Sequence, residues 1–315
     1  MLFRSRTRAI VDSLADEPNP VYGVSTGFGA LAQHHIPHEM RQQLQLALIR
    51  SHAAGIGPEV EKEVVRALML LRLKNLCSGR CGVRPEVAQA MADLINAHIT
   101  PVVLDHGSLG CSGDLAPLAH CAMVLIGEGR ARDGSGVERP VPELLAAAGI
   151  APIVLQEKEG LALINGTDGM LGMLILALAD LDGLVDMADL TAAMSVEGLH
   201  GTDNVFRPEL HEPLRPHPGQ AVSAAAIYNA LQGSAIVADR HNRGDLVQDA
   251  YSLRCAPQVN GGLRDTVQYA RSVAEQELAA QIDNPVVLSD GTVSSNGNFH
   301  GAPVGYVLDF LAIPI

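Results

Sequence analysis

Three consecutive residues, Cys111, Ser112 and Gly113, have the types and the order needed to build an electrophile from the backbone itself. The amide nitrogen of Gly113 can attack the carbonyl carbon of Cys111 and close a five-membered ring. Ser112 then loses its hydroxyl group as water and leaves an exocyclic methylene. Glycine suits the third position because a chain that folds back on itself needs dihedral angles that a Cβ atom would forbid. The tripeptide therefore predicts an enzyme that needs no external cofactor.

The same tripeptide also fits an ordinary loop that leads into a helix. Pro117 follows it closely, and proline near a helix start has a preset φ and gives up no needed N–H group. The tripeptide alone favours this loop, so the catalytic interpretation depends on the surrounding residues.

Two side chains elsewhere are candidates for proton transfer or substrate contact. Tyr22 opens a loop with three glycines, 22–29, which is typical of a mobile lid. A phenol with an unperturbed pKa of ~10 is a weak base at neutral pH, but a helix that starts near Asp114 would favour the phenolate. His52 can face another imidazole or a phenol. Both residues also fit structural roles, as a packed loop side chain and a core histidine.

Further residues fit the recognition of an amino acid. Asn165 precedes a predicted helix, where it serves either as a cap or as an amide that binds a substrate amino group. Arg254 can hold a carboxylate through two hydrogen bonds, with a surface ion pair as the alternative, and Gln248 and Tyr251 lie just before it. Phe299 lies in a loop rich in Gly, Ser and Asn, where it can stack on a planar substrate.

The composition excludes several classes of partner. The 315 residues carry a net charge of −13 and no long basic cluster, which argues against nucleic acid and anionic membrane surfaces. The apolar segment 169–179 is too short for a membrane span, and no signal peptide is predicted. Five cysteines, an odd number, fit a reducing cytoplasm and not a disulfide framework. Cys77 and Cys81 have no second pair, so no metal site is expected.

Helical periodicity runs through most of the chain and predicts a mainly α fold. Val60, Val64, Leu68 and Leu71 form the predicted buried stripe of one helix. A change of character near residue 164 predicts two domains, a mixed N-terminal lobe over 1–163 and the first part of a long-helix bundle over 164–315. We expect a turn or hairpin over 127–139 and helices over 59–76, 117–128, 165–199, 218–239 and 262–282.

The fourteen residues 107–120, GSLGCSGDLAPLAH, resemble the signature of the aromatic amino acid ammonia-lyases. With the other motifs in their order, the chain from Val21 to Ile315 resembles the histidine-acting members of that family, the histidine ammonia-lyases. The resemblance implies an L-aspartase/histidase-like fold, a cytoplasmic homotetramer, and a methylidene-imidazolone group (MIO) formed from Cys111, Ser112 and Gly113. It implies the deamination of L-histidine to trans-urocanate and ammonia, a step of histidine catabolism.

The resemblance also assigns roles to the other candidates. Tyr22 would be the base that removes the β-proton, Tyr251 a second catalytic residue, and Arg254 the partner of the substrate carboxylate. Ser51 and His52 stand where lyases acting on phenylalanine or tyrosine are expected to have Phe-Leu or His-Leu, so we expect histidine as the substrate. The substrate-binding residues would be His52, which would face the substrate imidazole, Asn165, Gln248, Arg254 and Phe299.

Three departures from the family pattern leave alternatives open. Cys111 stands where the family usually has alanine, and Asp168 replaces a more usual glutamine. Family chains extend beyond both ends of this one, which predicts a fragment whose missing C-terminal part holds a glutamate that contacts the substrate imidazole. The alternatives are a phenylalanine or tyrosine ammonia-lyase, an aminomutase on the same MIO, and a non-catalytic fragment.

Overall fold

The computed structural model describes residues 2–15, 17, 19–111, 113–243 and 247–315, with the side chains of all but 2–5, 242 and 243. Helices dominate, as the periodicity predicts. They are α1 (Leu2–Ala15), α2 (His38–His52), α3 (Lys62–Leu76), α4 (Pro85–Asn96), α5 (Leu115–Leu125), α6 (Val141–Ala147), α7 (Glu159–Ile164), α8 (Asp168–Gly198), α9 (Pro218–Leu231), α10 (Ala235–Arg243), α11 (Tyr251–Arg254), α12 (Ala256–Ala279) and α13 (Ala302–Leu311). The strands are β1 (Ile56–Glu59), β2 (Thr100–Pro101), β3 (Leu104–His106), β4 (Ala131–Arg132), β5 (Glu138–Arg139), β6 (Val286–Val287) and β7 (Val293–Ser294).

The chain divides into two compact units. The first comprises Met1–Met173 and Glu277–Gly305, and the second comprises Leu174–Gln276 and Tyr306–Ile315. This division falls within α8, whereas the change of character in the sequence predicts a boundary at 163/164. Residues 277–305 return to the first unit. A helix that continues from one unit into the next has unbroken periodicity, so its sequence carries no signal at the crossing.

The core of the first unit is built around α5, which is apolar on most sides. Leu118, Ala119 and Val124 have no exposed surface and pack with side chains of α2, α3 and α7. The helix predicted over 117–128 ends at Leu125, because Gly127 follows in the left-handed conformation with φ +86°. Hydrogen bonds from the N–H groups of residues 127 and 128 to the carbonyls of residues 124 and 123 close this end as a Schellman motif.

The helix α3 supplies a second face of this core. It begins at Lys62 and not at residue 59, because Ile56–Glu59 pair as β1 with β3. Leu68 and Leu71 are buried as predicted, whereas Val60 and Val64 are half-buried and Val65 is buried beside them. The predicted stripe is therefore confirmed in the second half of the helix.

Short antiparallel sheets complete the first unit. The strand β1 pairs with β3, β6 pairs with β7, and β2, β4 and β5 form a three-stranded sheet. The pair β4–β5 is the hairpin predicted over 127–139, and Asp133 holds its turn by accepting hydrogen bonds from the N–H groups of Ser135 and Val137. The unpredicted strands have at most four residues, which is too short for an alternating pattern to be recognised.

The second unit has its own core. Phe206 and Ile227 have no exposed surface and pack with Val196 of α8. The helix predicted over 218–239 is broken into α9 and α10, because Gly233 takes φ +80° between them. The helix predicted from residue 262 begins at Ala256 as α12.

One described stretch, Glu159–Gly198, is long and apolar enough to cross a membrane by length and composition alone. Its apolar part extends well beyond the segment 169–179 considered from the sequence. Within the most apolar window, 72% of the residues are buried inside the protein, which is the placement of a core helix. The helices α9 and α10 pass the same test only if counted together, and they are bent by 97° at their break.

Candidate active site

The loop that carries the tripeptide turns tightly between β3 and α5. The N–H group of Gly113 donates to the carbonyl oxygen of Gly110 at 3.3 Å. Gly113 has φ +81°, and a Cβ atom there would lie 2.5 Å from the carbonyl oxygen of Gly166. Glycine tolerates the positive φ and has no Cβ atom to collide with Gly166, as the sequence predicts for this position. Cys111 is exposed, and Ser112 lies outside the described residues.

Asp114 joins this loop to the N-terminus of α8. Its Oδ2 accepts hydrogen bonds from the N–H groups of Gly169 and Met170 at 2.7 and 2.9 Å, and its Oδ1 accepts one from Ser108 Oγ at 2.7 Å. Its own N–H group donates to the carbonyl oxygen of Gly166 at 2.6 Å. Burial raises the pKa of the Asp114 carboxyl to about 6, although the three hydrogen bonds oppose the rise.

Asn165 lies in the junction between α7 and α8. The sequence predicts a helix start at Asn165, but Asn165 ends α7, and α8 begins at Asp168. Asn165 is buried, and its carbonyl oxygen accepts a hydrogen bond from Arg72 Nη2 at 3.2 Å. Arg72 has no exposed side-chain surface and also pairs with Asp168. The charge that Asp168 adds is therefore compensated inside the protein.

The loop that contains Phe299 reaches the tripeptide loop through the backbone. Gly301 donates its N–H group to the carbonyl oxygen of Gly110 at 2.9 Å. Met170 lies against both glycines, with its Sδ 3.5 Å from the Cβ position of Gly110. Phe299 is half-buried two residues before this contact. The first unit thus brings together residues 108–111, 113–114, 165–170 and 299–301.

Tyr22 lies in an anchored turn. Its phenol oxygen accepts a hydrogen bond from the N–H group of Gly29 at 3.4 Å, and its ring meets the Phe28 ring edge to face, with centroids 6.3 Å apart. Phe28 is half-buried. The turn is buried at Val24 and Ser25. A cavity of about 430 Å³ is lined by Pro20, Val21, Tyr22, Thr26, Ala32, Gln33, Pro285, Val293 and Ser295.

His52 ends α2 and is half-buried. Its Nδ1 lies 2.9 Å from the carbonyl oxygen of Leu48 and 3.1 Å from Ser51 Oγ. The loop that follows is fastened to α5, because the N–H group of Gly55 donates to His120 Nε2 at 3.1 Å. Burial lowers the pKa of His120, and the nearby Arg130 lowers it further, which keeps this ring neutral and able to accept.

The remaining candidates belong to the second unit. Tyr251 and Arg254 are the first and last residues of α11, with the Arg254 Cζ 5.2 Å from the centre of the Tyr251 ring. Tyr251 is 74% exposed, and Gln248 is exposed in the preceding segment. Among the described residues, Arg254 makes this cation–π contact and forms no ion pair.

Several residues at this site were not singled out from the sequence. One of them carried a signal, because Arg72 stands four residues from both Leu68 and Leu76 and therefore on the buried face of α3. The others act through side-chain and backbone contacts between segments far apart in the chain, which no local pattern indicates. Within the described residues, no cluster of three or more His, Cys, Asp or Glu side chains could hold a metal ion. The unpredicted residues are Arg72, Asp114, Gly166, Met170 and Gly301.

Comparison with known proteins gives the family. Residues 4–315 match the family model for aromatic amino acid lyases. The chain belongs to the aromatic amino acid lyase family. This lyase chain is 66% identical to the histidine ammonia-lyase of Streptomyces coelicolor over 308 residues, which cover 98% of the chain and 60% of that protein.

Solved structures share the fold of this lyase. The histidine ammonia-lyase from Trypanosoma cruzi matches with a TM-score of 0.86 and 35% identity, over 99% of this chain and 58% of that one. The tyrosine aminomutase from Streptomyces globisporus matches with a TM-score of 0.89 and 35% identity, over 99% of this chain and 62% of that one. The lyase chain therefore has the mainly helical fold of these enzymes and spans about three fifths of their length.

Proposed function

We propose that the protein is a histidine ammonia-lyase, which converts L-histidine to trans-urocanate and ammonia through an MIO group. The observation that carries the proposal is Gly113, which holds φ +81° against Gly166 inside the motif 107–120. The 66% identity to the Streptomyces coelicolor enzyme supports histidine as the substrate.

The residues at positions 111–113 fit an MIO group. Ring closure joins the Gly113 nitrogen to the Cys111 carbonyl carbon, and the carbonyl oxygen leaves as water with the amide hydrogens of residues 112 and 113. A second water takes the hydroxyl group and the α-hydrogen of Ser112. Cys111 contributes only backbone atoms, so its side chain in place of alanine leaves the ring unchanged. Glycine at position 113 takes φ +81° and avoids the collision with Gly166 that a Cβ atom would cause, so the loop can hold its turn.

The chain's own side chains would bind the substrate and move its proton. When formed, the MIO methylene would supply the electrophile that makes the substrate amine a better leaving group. Tyr22 would accept the β-proton, with Tyr251 as the second catalytic residue, and Arg254 would hold the carboxylate. Positioning would carry most of the acceleration, and proton transfer about 10²- to 10⁴-fold. The remaining contacts would come from Asn165, Gln248 and Phe299.

His52 would select the imidazole. Donation from its Nδ1 to the Leu48 carbonyl oxygen, 2.9 Å away, would leave Nε2 as the acceptor. An acceptor nitrogen suits the N–H group of a substrate imidazole, whereas a phenyl ring offers no such donor. The pair Ser51-His52 therefore favours histidine over phenylalanine.

The proposal extends to assembly and location. A homotetramer is expected for the full protein, and a discrete tetramer on size-exclusion chromatography would support it, whereas material in the void volume would favour the non-catalytic fragment. Cys81, Cys121 and Cys255 are free thiols, which supports a reducing cytoplasm.

The test is Ser112→Ala in the full chain, with Ser135→Ala in the β4–β5 turn as the matched control. Without the serine hydroxyl group no methylene can form, so we expect deamination of L-histidine to fall by at least about 10³-fold. Mass spectrometry of the peptide with residues 111–113 should find two waters lost in the parent and in Ser135→Ala but not in Ser112→Ala. Near-normal turnover by Ser112→Ala would refute the proposal.

A second candidate is an aminomutase or ammonia-lyase that acts on tyrosine or phenylalanine, which the TM-score of 0.89 to a tyrosine aminomutase favours. Ultraviolet assays of the full chain with L-histidine, L-tyrosine and L-phenylalanine distinguish the two. Urocanate is the expected product. Formation of a cinnamate or a β-amino acid at a higher rate would favour the second candidate.

A further inference from the structure

Arg72 lies on α3, and its guanidinium group has no exposed surface. Its Nη1 donates to the carbonyl oxygen of Ala162 at 2.9 Å, and its Nη2 donates to that of Asn165 at 3.2 Å and to the carboxylate of Asp168. These contacts span the end of α7 and the beginning of α8. A single side chain from α3 therefore fastens the whole junction.

This pair of charges suits the two helix ends that it joins. A cation stabilises the carbonyl groups that end a helix, and an anion stabilises the N–H groups that begin one. Arg72 lies at the end of α7, and Asp168 is the first residue of α8. Burial raises the pKa of Asp168 while the Arg72 charge opposes the rise, so loss of either partner leaves a buried charge without compensation.

Gly166 lies between this pair and the tripeptide loop. A Cβ atom on Gly166 would collide with Arg72 Nη2 and approach Asp168 Oδ2 to 2.7 Å. The carbonyl oxygen of the same residue accepts the Asp114 N–H group at 2.6 Å and blocks the Cβ position of Gly113 at 2.5 Å. The position of Gly166 therefore depends on the ion pair, and the turn at Gly113 depends on Gly166.

We propose that Arg72 and Asp168 are positioning residues for formation of the electrophile. The pair fixes Gly166, and Gly166 holds residues 113 and 114 in the tight turn from which the Gly113 nitrogen attacks the Cys111 carbonyl carbon. Neither side chain touches the reacting atoms. This inference rests on the proposed MIO chemistry and adds to it the part of the fold that prepares the loop.

The experiment compares Asp168→Asn, Arg72→Met and Arg72→Lys in the full chain with Asp189→Asn. Asp189 is a matched control because it lies on the same helix, is 1% exposed and pairs with an arginine, Arg264, at 2.7 Å, but belongs to the second unit. The first measurement is hydrogen–deuterium exchange of the Asp114 amide, the donor to Gly166. The second is the fraction of the peptide with residues 111–113 that has lost two waters.

We expect protection of the Asp114 amide to fall at least about tenfold in Asp168→Asn and Arg72→Met, with a parallel fall in the dehydrated fraction. Arg72→Lys keeps a charge beside Asp168 and should retain more protection than Arg72→Met. Asp189→Asn should change neither measurement.

Unchanged Asp114 protection in Arg72→Met, or an equal loss in Asp189→Asn, would overturn the positioning role. If Asp168→Asn and Arg72→Met lose the two waters from residues 111–113 as completely as the parent does, the positioning role is also overturned, but the proposed function stands. A parent that keeps both waters would instead overturn the proposed function, and the positioning role with it.

Discussion

At residue 113 the absence of a side chain decides whether the turn can form. Gly113 combines φ +81° with a Cβ direction that meets the carbonyl oxygen of Gly166 at 2.5 Å. Gly136, in the β4–β5 turn, has φ +85° and nothing within 4 Å of its Cβ position. Substitution of the two glycines therefore separates the free-energy cost of a left-handed backbone from that of a steric collision.

Gly113→Ala should lower the free energy of unfolding by more than Gly136→Ala. Both variants place an alanine in the left-handed region, at about 1–2 kcal/mol, but only Gly113→Ala forces Gly166 to move. Chemical denaturation measures the difference in unfolding free energy. Mass spectrometry should find the dehydrated tripeptide in Gly136→Ala but not in Gly113→Ala. Equal losses of stability would show that the collision is relieved at no cost.

Asp114 should make stability depend on pH. Burial raises its pKa from 3.8 to about 6, so the native state binds the proton more tightly than the unfolded state does. Its contribution to stability is present below pH 3.8 and is lost as the pH rises through about 6, on the order of 3 kcal/mol in all.

Unfolding of the parent and of Asp114→Asn between pH 4 and 7 isolates this contribution, because the other titrating groups are common to both. The difference in unfolding free energy, parent minus variant, should fall as the pH rises. A difference that rises with pH would mean that the hydrogen bonds from Ser108, Gly169 and Met170 outweigh burial.

Among the elements, α7 depends on a second buried ion pair. Lys158 precedes the helix in the left-handed conformation, with φ +69°, and its Nζ lies 2.5 Å from Asp283 Oδ2. Lys158 has no exposed side-chain surface, and Asp283 is 1% exposed. The pair joins α7 to the segment between α12 and β6, so the two parts of the first unit that are separate in sequence are held together.

Asp283→Ala should destabilise the first unit by about 3–5 kcal/mol, because it leaves the Lys158 ammonium buried and unpaired. The double variant Lys158→Met with Asp283→Leu should recover most of that loss, since apolar groups of similar volume need no partner. Thermal or chemical unfolding measures both. A double variant less stable than Asp283→Ala would contradict this account.

Periodicity and turn residues in the sequence predict the helices and the hairpin better than they predict the contacts between them. The hairpin over 127–139 follows from its glycines and Asp133, and α8 from a helical pattern with few breakers. The position of Asn165 between α7 and α8 does not follow, because α7 is short and its end is set by Arg72 from another helix. The tripeptide motif itself is local and was recognised from sequence, but its supports at Gly166 and Gly301 arise only in the folded chain.

At the scale of the whole molecule, apolar side chains are exposed along α8. Leu184, Met187, Leu190 and Met194 are 45–63% exposed. Exposed apolar patches of this kind mark interaction surfaces. We infer that these side chains are subunit contacts of the proposed homotetramer.

Leu184→Lys with Met194→Lys should lower the associated fraction of the full chain, since two buried apolar contacts are each worth about 1.5–3 kcal/mol. Gln42→Lys with Gln43→Lys on α2 makes the same change of charge at exposed polar positions and should leave association unchanged. Size-exclusion chromatography with light scattering gives the mass of each variant. An unchanged mass for the α8 variant would exclude this face from the interface.

The supports of the turn at Gly113 also set the order of events during synthesis. Gly166 and Gly301, which hold the loop through Asp114 and Gly110, are made long after the tripeptide itself. A nascent chain that ends after α5 therefore carries an ordinary serine and no partner for the turn. In the proposed enzyme the reactive methylene would be made only after residue 301 has left the ribosome and docked, so the nascent chain would not carry its own electrophile while it folds.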